Sequence, residues 1–137
     1  VLDASVLVEL AYGTKVGEAI KTLLEESDKA FTTQLSLTEL FYILCRKLGA
    51  ELAEKKITDL IESGYITPEQ PRSLIYEVGK IKCKRAISLA DCYIIALAKE
   101  VGGKAVFARK EREIEKEMMK EVFEVEFVFG DELIGQK

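Results

Sequence analysis

The chain has 137 residues and a formal charge of −4, from 20 basic and 24 acidic side chains with no histidine; 48% of it is hydrophobic and 32% charged. That length suits one domain around one core, and the composition lies far from disordered, collagen-like and disulfide-scaffold chains. The missing imidazole removes Ser-His-Asp and Cys-His nucleophiles and His-ligated zinc, while the acidic balance excludes a domain that coats nucleic acid by bulk charge.

Val1-Leu2 is a short apolar entry that stops at Asp3, as the end of a buried strand turning into a helix, and the helical pattern then runs to about Ser27. Ala30 to Thr33 reads as a second strand. Ser36-Leu37-Thr38-Glu39 has capping-box spacing and opens a helix through Leu48, which Gly49 ends. Glu51 to Glu62 is predicted as an amphipathic helix with Leu52, Ile57, Leu60 and Ile61 inward. Gly64, Pro68 and Pro71 punctuate the middle of the chain, and a helix is expected from Pro71 to Cys83. The cations Lys80, Lys82, Lys84 and Arg85 then suit its C-terminal dipole. Ser88 starts the most apolar helix, Cys92 to Ala98, and Gly102-Gly103 stops it. Ala105 to Ala108 reads as a strand, Glu111 to Glu121 as a charged helix and Val125 to Phe129 as a last strand. Strands alternating with helices imply an α/β fold with a parallel sheet covered on both faces.

Cys45, Cys83 and Cys92 form an odd set without a C-x-x-C, which suits small apolar side chains in a reducing cytoplasm better than a disulfide or thiolate metal site. No apolar run approaches a membrane span, and no signal segment opens the chain. The chain begins at Val1 rather than Met, as it would with an upstream piece missing.

In open parallel sheets ligands bind beyond the carboxyl ends of the strands, so the informative acids are Asp3 at a strand end, Glu39 and Asp91 three positions after a serine, and Glu111 and Glu113 after the Val106 strand. First-turn acids also complement the helix dipole, and capping accounts for each of them singly. Jointly they resist that account, because Asp91 is the one acid in a turn committed to the core and Asp3 interrupts a buried strand. Two carboxylates about 5 Å apart repel by roughly 3 kcal/mol at an effective dielectric near 20. A converging set therefore needs protons or a cation, and an all-oxygen set suits Mg²⁺ or Mn²⁺.

Val1-Leu2-Asp3-Ala4-Ser5, Leu37-Thr38-Glu39-Leu40, and Ser88-Leu89-Ala90-Asp91-Cys92-Tyr93-Ile94-Ile95-Ala96-Leu97-Ala98 followed by Gly102-Gly103-Lys104-Ala105-Val106-Phe107 resemble the ordered motifs of PIN-domain ribonucleases, including VapC-type toxins. The resemblance spans nearly the whole chain. It implies a single domain, a three-layer α/β/α sandwich around a central, mainly parallel sheet, and an acidic pocket holding Mg²⁺ or Mn²⁺. It further implies hydrolysis of single-stranded RNA leaving a 5′-phosphate. By motif, Asp3 and Asp91 would be metal ligands, Glu39 a ligand or an orienter of the attacking water, and Ser5 a hydrogen-bonding support. The family's Thr-x-Asp stretch is replaced by Ala108-Arg109-Lys110-Glu111, so Lys110 stands near the expected acid. Glu111 would then supply the carboxylate from a shifted position, with Glu113 the weaker candidate, and Lys110 would touch a substrate phosphate or replace a second metal's charge.

Two basic stretches, Lys80 to Arg85 and Lys104 to Arg112, would rim such a pocket and grip phosphates, although a solvated face explains most of their charges. A receiver-type phosphoacceptor wants adjacent acids after its first strand and a haloacid-dehalogenase-like phosphatase wants D-x-D there; Asp3-Ala4-Ser5 supplies neither. The nearer alternative is a catalytically weakened PIN-like module that binds RNA or a protein. In a toxin-antitoxin setting the partner would be a small antitoxin, and Leu7, Leu10 and Tyr12 would serve its groove or a homodimer, unless they pack in the core.

Overall fold

The computed structural model describes residues 1–27, 29–69 and 74–134. Helices dominate it: α1 (Ala4–Tyr12), α2 (Lys15–Glu25), α3 (Gln34–Leu48), α4 (Ala50–Glu62), α5 (Ile75–Lys84), α6 (Leu89–Val101), α7 (Arg112–Lys120) and α8 (Gly130–Ile134). The strands are β1 (Phe31–Thr32), β2 (Thr67–Pro68), β3 (Ala105–Phe107) and β4 (Phe127–Phe129).

β1 pairs in parallel with β2, and β3 in parallel with β4. Leu2 forms an isolated parallel bridge to Thr32 on one side and to Val106 on the other, so the first residues stand between the two pairs. The parallel pairing expected from the sequence is present. The strands are shorter than expected because helix caps follow them at once: Asp3 caps α1 directly after Leu2, and Thr33 caps α3 directly after β1. Asp3 therefore sits where the chain order reverses about the central residues, the crevice in which parallel α/β folds gather ligands.

Side chains alternate across these short strands. Ala105 and Phe107 join Val1, Phe129 and the buried face of α6 in one core; Val106 and Ala108 join Leu2, Val6, Ile20 and Leu40 in another. Both faces of the strands are thus covered, by α5, α6 and α7 on one side and by α1 to α4 on the other.

Four local expectations are corrected. The pattern predicted as one helix to Ser27 is two, because Gly13 takes a left-handed φ of 62° and Thr14 then caps α2 through the Gly17 amide. The helix predicted from Ser36 begins at Gln34: Thr33 Oγ1 accepts from the Ser36 amide at 2.9 Å, so Glu39 lies in the second turn, beyond capping reach. In α4 the inward stripe is Ala53, Ile57 and Leu60, at i, i+4 and i+7, and Leu52 and Ile61 face solvent. Pro68 lies inside a strand; β2 pairs only with β1 among the described residues, and an edge tolerates the missing N–H. The expected start at Pro71 lies outside the described residues, and α5 is seen from Ile75. α6 starts on Ser88 and ends on left-handed Gly102 as the sequence predicts. None of the helices in the described residues is long and apolar enough to cross a membrane.

Candidate active site

Asp3, Ser5, Glu39, Asp91, Glu111 and Glu113 line one cavity of about 710 Å³, together with the apolar Val8 and Ile43. They come from five places in the sequence: the end of the central residues, α1, the second turn of α3, the first turn of α6, and the start of α7, where Glu111 is the N-cap and Glu113 lies in the first turn.

Each is held by local structure. The Asp3 carboxylate accepts from the Ser5 amide at 3.1 Å and from Ser5 Oγ at 2.6 Å, capping α1. Ser5 Oγ in turn accepts from the Ala108 amide at 3.1 Å, which ties the acid to the end of β3. On the other side Asp3 N donates to Val106 O at 2.9 Å, so backbone and side chain are fixed together. Asp91 donates its amide to Ser88 Oγ at 3.1 Å, and the residue as a whole is buried, 6% exposed, in a helix otherwise packed into the core.

The electrostatics follow from this crowding. Glu39 is pushed above the usual carboxylate range by burial and then by the charges of Asp3 and Asp91. Asp91 is raised by burial and by Asp3, against a hydrogen bond from Glu111 that favours its ionised form. Glu111 goes furthest, from 4.5 to about 8, through burial, its hydrogen bond to Asp91, and the charges of Asp91, Asp3 and Glu113. The neighbouring Asp91 and Glu111 carboxyl groups therefore titrate as a pair that holds a proton to higher pH than separate carboxylates would.

Lys110, the other residue singled out in the sequence, faces elsewhere: its Nζ lies 3.7 Å from Glu132 and it lines a separate cavity. Glu113, the weaker sequence candidate, lines the acidic cavity with Glu111. Most of the suggested phosphate-gripping cations are engaged within the fold. Lys82 donates to Ile87 O at 2.6 Å, and Arg85 donates to the carbonyls of Glu117, Glu121 and Val122 at the end of α7. Arg109 pairs with Glu9 at 2.9 Å and Lys104 with Glu126 at 3.6 Å.

No group of three or more acidic or cysteine side chains among the described residues already stands in metal-holding geometry. The donor set nonetheless fits a hard cation: it is all oxygen, several carboxylates face one space, and a proton offsets part of their repulsion. Mg²⁺ is commonly bound through one or two carboxylates and retained water, which requires no closed protein cage.

No curated protein sequence matches the chain. Residues 1–116 match the family model described as PIN domain. The match covers most of the 137 residues and every acid of the cavity, so the chain belongs to the PIN-domain family, whose members are generally nucleases.

Proposed function

We propose that the chain is an endoribonuclease, dependent on Mg²⁺ or Mn²⁺, that hydrolyses phosphodiester bonds of single-stranded RNA. One observation carries this reading: Asp3, Glu39, Asp91, Glu111 and Glu113, distant from one another in the sequence, face a single cavity, where burial and then the neighbouring acids push the Glu111 carboxyl up to about 8.

Asp3 and Asp91 are the residues that would hold the cation. When bound, it would supply positive charge to the phosphodiester oxygens and increase the acidity of a water. Glu39, raised by burial and then by the charges of Asp3 and Asp91, would take the proton from the attacking water. Ser5 orients Asp3 through Oγ, and Glu111 occupies the position of the acid missing at Lys110. Val8 and Ile43 keep one wall apolar, which strengthens every charge interaction inside.

In finer terms the fold is read as a three-layer α/β/α sandwich, supported by the two cores on opposite faces of the strands. The biological reading is a cytoplasmic, homodimeric, VapC-type toxin paired with a small antitoxin. A groove of about 530 Å³ lined by Leu7, Leu10, Leu40, Ile57 and Leu60 would seat an apolar helix of that antitoxin.

The test is cleavage of labelled single-stranded RNA with Mg²⁺ or Mn²⁺. Metal-dependent cleavage that is abolished by both Asp3→Asn and Asp91→Asn is expected; activity surviving either change would reject this site. The second reading is a weakened PIN-like module that binds RNA or protein, and it is favoured by Lys110 standing near the expected acid yet facing Glu132. Failure to cleave a broad RNA panel would select it.

A further inference from the structure

A second cavity, of about 430 Å³, is left unused by the proposed chemistry. Its walls are Phe123, Phe127 and Phe129 with Met118 and Val122, and Lys110 and Glu132 line it with them. The Phe127 and Phe129 rings are nearly parallel, 5° apart with centroids at 5.9 Å, and Phe123 meets Phe127 edge-on at 5.1 Å. Lys110 Nζ lies 5.7 Å from the Phe129 centroid and 3.7 Å from the Glu132 carboxylate. The remaining charged wall residue, Glu126, is paired with Lys104.

Two features say what such a cavity would take. First, Lys110 lines the aromatic cavity and the next residue, Glu111, lines the acidic one, so consecutive residues of the chain contribute to the two walls. Second, its chemistry is divided, with aromatic surface within and an ammonium among the wall residues. A nucleotide is divided in the same way, into a flat base with a π-face and an anionic phosphate.

Resting on the ribonuclease reading, we infer that this aromatic cavity receives one unstacked base of the RNA strand that is cut in the neighbouring acidic cavity, while Lys110 exchanges Glu132 for the adjoining backbone phosphate. The two acids of the wall disfavour entry of the phosphate itself, so the base enters and the phosphate stays with Lys110. Recognition by ring faces selects for stacking strength over a hydrogen-bonding code, and purines are therefore preferred at that position.

The experiment measures equilibrium binding of the full chain, with Mg²⁺, to short single-stranded RNAs whose phosphorothioate linkages resist cleavage. One nucleotide at a time is made abasic. A single abasic position is expected to weaken binding about tenfold, as losing one stacked base does. In Phe123→Leu the intact oligomer weakens by about the same factor and the abasic penalty disappears, the signature of a shared interaction. Lys110→Gln changes a half-exposed side chain and is expected to weaken all oligomers alike, reducing the salt dependence of log K by about one unit. RNA binding that is indifferent to every abasic position, or an abasic penalty that persists undiminished in Phe123→Leu, overturns the base site and leaves the ribonuclease reading standing. Binding of an extended peptide in place of RNA, or of no oligomer at all, overturns both.

Discussion

At the residue scale the informative group is Glu111. Its folded-state pKa of about 8 lies above the ordinary 4.5, so between those values the folded chain holds a proton that the unfolded chain has released. Stability from this group is fully present below about pH 4.5 and is lost as pH rises toward 8. Without added metal, the thermal midpoint of the wild-type chain should therefore fall from pH 5 to pH 9 more steeply than that of Glu111→Gln, which keeps a hydrogen-bond donor for Asp91 and does not titrate. Parallel pH profiles for the two proteins would contradict the shared proton. Ser5 offers a second check, because Ser5→Ala removes an acceptor from the Ala108 amide and a donor from Asp3. A loss of about 1–2 kcal/mol in denaturant unfolding is expected, together with weaker cleavage. The sequence made Asp91 legible, since an acid in an apolar turn requires a reason. Glu39 was harder: Ser36 three residues earlier imitates a capping box, and only the cap at Thr33 shows that Glu39 is free for another role. For Lys110 the residue type suggested phosphate, but its partner Glu132 lies in a helix that the sequence pattern did not reveal.

At the scale of elements, α1 and α2 approach each other over Gly17, where an added Cβ would lie 2.3 Å from Glu9 O. That oxygen is backbone and cannot swing aside, so Gly17→Ala should force the helices apart at a cost of about 1–3 kcal/mol. Gly79, inside α5, has nothing within 4 Å of such a Cβ, and Gly79→Ala should instead stabilise by about 0.5–1 kcal/mol. Chemical denaturation of the pair should move the midpoint in opposite directions. Long elements with strong caps were readable in advance, α6 above all, where Ser88 and Gly102 mark both ends. The Gly13-Thr14 break was written in the sequence too, but the apolar periodicity on either side concealed it. β2 and α8 were not readable: two residues carry no period, and Pro68 argues against the strand it occupies. What holds α8 down is a close approach, with Gly130 so near Val16 and Ile20 that a Cβ would meet either at 2.8 Å.

At the scale of the whole molecule, the acids join segments that pack on both faces of the strands, so whatever neutralises them steadies the entire fold. A cation that binds only the folded chain should raise unfolding free energy with the logarithm of its concentration, by about 2.7 kcal/mol at a hundred times its dissociation constant. Calorimetric midpoints should climb with Mg²⁺ or Mn²⁺ in the wild type and stay flat in Asp91→Asn; an equal rise in both would place the ion elsewhere. Fold class was visible in advance because alternation of element types survives even when individual strands shrink to two residues. The contact of Asp3 with the Ser5 amide carries a consequence for any mutant survey of this chain. One side chain both starts a helix and faces the acidic cavity, so trimming it to alanine would unravel a turn and remove a charge together, confounding silence with misfolding. Asparagine, which can still cap that turn, separates the two.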